Sequence, residues 1–313
     1  MHLCQLNAGG FQLIGHSLAG EETFVAVPEL DVVFDIGRCP REALSVNHCA
    51  LSHGHMDHAN GIAYYASQRN FVGQVEPTLL CHHRLVQPLH DLLDVWARIE
   101  GHRAPCRIVP LEPGAEHPIR KDLVLRAFAV NHHAHALGYC LIERRRKLKP
   151  EFLAEDGQPR LTGPQLVELK QQGVEITTEL EIPLVAYCGD TAMGSFAQLD
   201  FVRQARVLLV ECTFFEPDHI RRARQGRHLH VVDMPALLEP VTSEAVVLLH
   251  LTRRTAMGYA RKMLRQYCGH LENYARICFL MDRRHRMNPG PEDVDPALAL
   301  AATTHPPSDQ QPA

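Results

Sequence analysis

Residues 53–58 read His-Gly-His-Met-Asp-His, three imidazoles and a carboxylate one residue after the apolar run Cys49-Ala50-Leu51. An apolar strand that ends in such a cluster must present it on a short loop, and Gly54 lets the backbone turn sharply there. Neutral imidazoles and carboxylates are donors that zinc and similar transition metals accept. One mononuclear site does not need His53, His55, Asp57 and His58 from a single loop. Two neighbouring sites do, and they need further donors from other strand ends.

The chain offers such donors. "AVNHHAHALGY" closes a strand-like run with His132, His133 and His135, among which spacing alone does not choose. "VAYCGDT" closes another with Asp190, and "VVLLHLT" a third with His250. Further apolar runs, "ETFVAV", "DVVF", "PTLLCH", "CRIVPL" and "ARVLLVECTF", read as buried strands. A helix is expected from Leu85 to Glu100, with others near 195–204, 218–225, 233–239 and 255–267. "LVLRAFAV" and "GYCLIERR" read as a hairpin-type pair. Strands separated by helices in two similar halves predict an α/β fold, a four-layer αβ/βα sandwich.

Residues 144–181 break this rhythm. They are polar, punctuated by Pro150, Pro159 and Pro164, and read as an insertion carrying one short helix near Gly163–Gln172. The catalytic domain is therefore placed at 1–287 with 144–181 as an inserted arm. The Pro-, Ala- and Asp-rich segment 288–313 is expected to be disordered.

Composition narrows the setting. The 313 residues carry a net charge of -4, which does not by itself advertise nucleic-acid binding. Basic residues nevertheless gather in "ERRRKLK", "IRRARQGR", "TRRTAMGYARKMLR" and "DRRHR". No apolar stretch of about 18 residues, the length a membrane span requires, is present, and no secretory signal is read at the N-terminus. Ten cysteines without a repeated spacing suit a reducing cytoplasm.

The order H-x-H-x-D-H, His, Asp, His resembles the metallo-β-lactamase superfamily. "VPELDVVFDIGRCPREAL", "HALGYCLIERRRKLKPEF", "GVEITTELEIPLVAYCGDT", "VLLVECTFF" and "LLHLTRRT" narrow the likeness to the ribonuclease Z family, in its short plant-like form. The resemblance runs from about Ile14 to about Tyr267. It implies the metallo-β-lactamase sandwich, two zinc ions (with manganese as the alternative metal), and cleavage of the 3′ trailer from precursor tRNA. One ion would take His53, His55 and His132, the other Asp57, His58 and His250, with Asp190 bridging. Asp57 would orient the nucleophile. His230, held by Glu211, would protonate the leaving oxygen, and Arg254 would contact phosphate. The resemblance further implies a homodimer in which one subunit's arm holds the tRNA cut by the other.

Some positions depart from the family pattern. Asn60 and Ala63 stand where Gly and Pro are usual, Thr255 replaces a Tyr, and Val210 replaces the His before Glu211. The zinc-ligand positions are unaffected; the RNA contacts are where these changes fall. A rival reading keeps every metal donor and makes the chain a hydrolase of a small ester, thioester or phosphodiester.

Overall fold

The computed structural model describes residues 2–133 and 135–287; the segment expected to be disordered lies outside them. Two seven-stranded sheets face each other. The first contains β1 (Cys4–Ala8), β2 (Phe11–Leu18), β3 (Glu22–Val27), β4 (Val32–Phe34), β5 (His48–Ala50), β6 (Thr78–His82) and β7 (Arg107–Leu111). The second contains β8 (Glu116–Arg120), β9 (Leu123–Ala129), β10 (Leu137–Leu148), β11 (Thr177–Tyr187), β12 (Val207–Glu211), β13 (Ala245–Leu249) and β14 (Ile277–Phe279). Each sheet follows chain order, antiparallel over its first four strands and parallel over its last four. The expected αβ/βα sandwich is present.

The continuous apolar strands follow from burial on both faces. In β4, Val32 and Phe34 enter the core between the sheets, while Val33 faces the outer cluster. In β12, Val207 and Leu209 point inward, and Leu208 and Val210 pack outward. The outer face of the first sheet is covered by α1 (Met56–Ala59), α2 (Ile62–Phe71) and α3 (Val86–Glu100). The second is covered by α5 (Asp200–Arg203), α7 (Met234–Leu238) and α8 (Met257–Cys268), with α6 (Ile220–Gly226) preceding the loop to His228.

Helix α2 was not anticipated, because "GIAYYASQRNF" mixes aromatic and polar residues. Its buried side chains Ile62, Tyr65, Ala66 and Arg69 still lie at helical spacing. Arg69 is fully buried and donates to the Leu44 and Val46 carbonyls, the Asn47 side chain and the Val75 carbonyl. Gly37 matters for position: a Cβ there would come within 1.9 Å of the Asp57 carbonyl oxygen. Only glycine lets the β4–β5 connection seat α1 this closely.

The 144–181 insertion is less of a break than expected. Strands β10 and β11 pair from Tyr139↔Tyr187 to Leu148↔Thr177, so the insertion is the far half of a long hairpin. It is tipped by α4 (Gly163–Gln171), whose first turn is closed by the Thr162 N–H donating to Gln165 Oε1 at 2.9 Å. Its opening basic run is largely offset by acidic neighbours. Arg144 pairs with Glu116 at 2.7 Å and Glu181 at 3.0 Å, Arg145 with Glu143 at 2.7 Å, and Lys149 with Glu175 at 3.2 Å. Residues 144–181 hold seven Lys and Arg against seven Asp and Glu, so the arm has no charge surplus.

Candidate metal centre and active site

All the expected donors meet at one end of the sandwich. The loop after β5 brings His53 and His55, and the first turn of α1 brings Asp57 and His58. The loop after β9 brings His132, the end of β11 brings Asp190, and the residue after β13 is His250. His53, His55, His132 and Asp190 form one compact set of donor atoms, and Asp57, His58 and His250 a second. His53 Nε2 lies 2.9 Å from His55 Nδ1, and His132 Nε2 lies 3.4 Å from the same atom. In the second set, His58 Nε2 and His250 Nε2 are 3.4 Å apart, and Asp57 Oδ2 is 3.5 Å from His250 Nε2. Asp190 Oδ2 stands between the sets, 3.8 Å from His53 Nε2, 3.4 Å from His58 Nε2 and 3.3 Å from His250 Nε2. A tetrahedral ion with nitrogen donors at about 2.1 Å spaces them by about 3.4 Å. The donors fit a divalent metal in type and spacing, and Asp190 is placed to serve two.

The outward ring nitrogens of His53, His58, His132 and His250 are spoken for, which fixes the inward ones. His58 Nδ1 donates to Asp35 Oδ2 at 2.7 Å. His53 Nδ1 meets Ser52 Oγ at 3.0 Å, and that hydroxyl donates to the same Asp35 oxygen at 2.7 Å. His132 Nδ1 donates to the Arg227 carbonyl at 3.1 Å, and His250 Nδ1 meets Thr213 Oγ1 at 2.9 Å. Asp35 is fully buried and also accepts from Tyr187 Oη. His250 has φ of 61°, a left-handed turn that swings its ring off the β13 axis into the cluster. His133 and His135 stay outside: His133 Nε2 donates to the Gln225 carbonyl at 3.0 Å, and His135 stacks near His82.

The partner expected for Glu211 is corrected. His228 Nδ1, not a nitrogen of His230, donates to Glu211 Oε1 at 2.9 Å. His230 turns away: its Nε2 donates to the Glu216 carbonyl at 2.9 Å and its Nδ1 accepts from the Val232 N–H at 3.2 Å. The cause is the end of α6. Arg227 takes a left-handed φ of 53°, so the next residue falls beside the carboxylate. The Leu229 N–H then donates to Glu211 Oε2 at 3.1 Å and locks that placement. By residue 230 the chain has joined a bridge to Phe214. The Gly226-Arg227 helix stop was the signal in the sequence.

Glu211 also accepts from the Thr191 N–H at 2.6 Å, one residue past Asp190. His228 Nδ1 is 3.9 Å from Asp190 Oδ2, and its ring lies nearly parallel to that of His250 at 5.3 Å. Burial opposes a charge on His228, but the Glu211 carboxylate, its hydrogen bond and Asp190 outweigh it and raise the imidazole to about 9. Asp57 is also buried, yet hydrogen bonding and charge from His250 and His58 hold its carboxyl well below the usual range. Its Oδ2 accepts from the Gly20 N–H at 2.7 Å. A cavity of about 810 Å³ opens over the cluster, with Phe214, Arg222, Arg253 and Arg254 on its walls.

Comparison with known proteins agrees with this geometry. The family model described as "Beta-lactamase superfamily domain" matches residues 34–251. The chain is 32% identical over 254 residues to tRNase Z TRZ1 of Arabidopsis thaliana, covering 78% of this chain and 86% of that one. The chain belongs to the tRNase Z family. The chloroplastic tRNase Z TRZ2 of the same plant is 30% identical, with 78% of this chain and 68% of that one covered. Among solved structures, the metallo-β-lactamase fold protein YhfI from Bacillus subtilis superposes with a TM-score of 0.55 at 12% identity, over 89% of this chain and 96% of that one. The short form of human tRNase Z gives 0.50 at 14% identity, over the same shares of 89% and 96%. These two likenesses show the metallo-β-lactamase fold alone. Within the family, then, this member keeps the donor set of a metal-dependent hydrolase and a His228–Glu211 pair at its rim.

Proposed function

We propose that this chain is an endoribonuclease that removes the 3′ trailer from precursor tRNA and leaves a 3′-OH. The observation that carries the reading is the His228–Glu211 pair at 2.9 Å beside Asp190. A charged imidazole held at the edge of a metal cluster is a proton donor for a leaving alkoxide.

The two donor sets would hold two zinc ions, or manganese in their place: His53, His55 and His132 for one, Asp57, His58 and His250 for the other, with Asp190 bridging. When bound, such a pair supplies a hydroxide nucleophile at neutral pH and neutralises charge on the phosphate. Asp57, aimed by the Gly20 N–H, orients the attacking oxygen. Attack on phosphorus breaks the bond to the 3′-oxygen, and His228 delivers its proton to that oxygen. Glu211 keeps the ring turned and charged. Arg254 at the cavity wall takes a phosphate oxygen. The products are a tRNA with a free 3′-OH and a trailer bearing a 5′-phosphate.

The enzyme acts as a homodimer in this reading. The donors lie at the Leu137 end of β10 and the arm at its Leu148 end. At about 3.4 Å per residue, that strand separates them by about 37 Å. An arm so placed serves a neighbour's cleft better than its own. The apolar face beside the cluster, with exposed Met56, Tyr64, Trp96 and Ile99, is where we place the second subunit. Ten unpaired cysteines suit the cytoplasm. Among the described residues no helix is long and apolar enough to cross a membrane.

The test is direct. Metal-loaded protein is incubated with end-labelled precursor tRNA, and a single cut leaving 3′-OH is expected. Hydrolysis of a small ester with no cut in any precursor would establish the rival reading. Sedimentation of Trp96→Glu is expected to show monomers; an unchanged dimer would move the subunit contact elsewhere.

A further inference from the structure

The charge on this molecule is concentrated in one place. Residues 251–287 hold nine Lys and Arg against two Asp and Glu, out of 32 and 36 in the whole chain. The remaining residues therefore carry 23 against 34. The arm is neutral, so the flank built from α8 and the segment after β14 is the positive face.

This flank follows directly along the chain from the active-site wall. Arg253 and Arg254 stand on the cavity wall, and the turn after them leads into α8. A groove of about 450 Å³ follows, lined by Gly258, Arg261, Arg283 and Arg286. A second, of about 430 Å³, lies along Lys262, Arg265 and Arg284. The floor is fastened to the metal cluster: Met281 Sδ accepts from the Ser17 N–H at 3.3 Å, and Ser17 Oγ accepts from the His250 N–H at 2.9 Å. Of the two acidic residues in this segment, Glu272 is exposed but lines neither groove. Asp282 is buried and bound by both Arg261 and Arg284, and Glu21 is held by Arg253. Lys262, Arg265 and Arg283 remain exposed.

The site itself sets a direction for the RNA. His228 protonates the leaving 3′-oxygen, so the nucleoside that keeps the 3′-OH lies on the wall formed by α6. The phosphorus departs with the other strand segment, whose path away from His228 meets Arg253 and Arg254 and then α8. We propose that the α8 flank is a phosphate-backbone track for the 3′ trailer, which deepens the tRNA-processing reading and rests on it. Single-stranded RNA is the partner because the positive groups are strung along two successive grooves leading out of a nuclease cleft.

The test uses Lys262→Glu/Arg265→Glu/Arg283→Glu in the full chain, with circular dichroism to verify its fold. The first readout is fluorescence anisotropy with a labelled, 5′-phosphorylated single-stranded RNA of about 20 nucleotides. Affinity is expected to fall roughly 10- to 100-fold, and the salt slope to flatten by about 2 log units for three lost contacts. The second readout is the ratio of kcat/KM for precursors with long and short trailers, which is expected to fall in the variant. Unchanged RNA affinity and salt slope would overturn the track. So would a loss that is equal for both trailer lengths, because the flank would then hold the tRNA body. The binding readout needs no cleavage, so it stands apart from failure of the tRNA-processing reading.

Discussion

His228 Nδ1 donates to Glu211 Oε1 at 2.9 Å, while His230, two residues on, donates to a backbone carbonyl on the other side of the loop. The two histidines therefore predict opposite phenotypes. His228→Ala is expected to slow single-turnover cleavage by roughly 10²- to 10⁴-fold, with metal content and RNA affinity retained. His230→Ala is expected to keep the rate and lose about 1 kcal/mol of stability through its missing cap. Reversal of the two outcomes in paired cleavage and melting measurements would restore His230 to the reaction.

The same pair predicts a pH limb. His228 acts in its protonated form, its raised value is about 9, and a protonated donor is lost as pH rises through that value. Bound cations disfavour the imidazolium and move the limb lower. Single-turnover rates are therefore expected to fall on the alkaline side at or below about 9, and His228→Ala is expected to lose that limb. An identical profile in the variant would assign the proton to another group.

Asp35 touches no donor atom that faces the cluster centre, yet it orients two of the rings. Asp35→Asn cannot accept equally from His58, Ser52 and Tyr187. Metal affinity measured against a competing chelator is expected to fall by roughly 10- to 100-fold. Equal affinity in the variant would show that the rings hold their places without it.

Gly37→Ala is expected to destabilise the protein by about 3 kcal/mol or more. The new methyl would meet the Asp57 backbone at 1.9 Å, and α1 carries both Asp57 and His58. Urea unfolding measures the effect. A variant as stable as the parent would mean that the loop yields easily.

How much of this is legible in the sequence depends on burial. Strands such as β12 and β13, apolar on both faces, announce themselves. The convergence of His53, His55, Asp57, His58, His132, Asp190 and His250 is also legible, because each follows the end of such a strand. The outer elements are less so: α2 hides because a buried Arg69 satisfied by backbone carbonyls looks polar in a string of letters. His228 and His230 are indistinguishable by type and spacing, and only the left-handed Arg227 separates them. The arm's neutrality needed the facing strand, since Glu175 offsets Lys149, and Glu179 and Glu181 offset Arg144, from roughly thirty residues away.

One carboxylate oxygen of Asp35 receives both the His58 ring and the hydroxyl that holds His53, and those rings belong to different donor sets. An ion that fixes either ring also fixes the shared anchor, so ordering one half lowers the entropy cost of ordering the other. Metal uptake is therefore expected to be cooperative. At half-saturation the population would consist mainly of empty and doubly loaded chains, and a cell short of metal would hold fewer complete enzymes in place of many half-built ones.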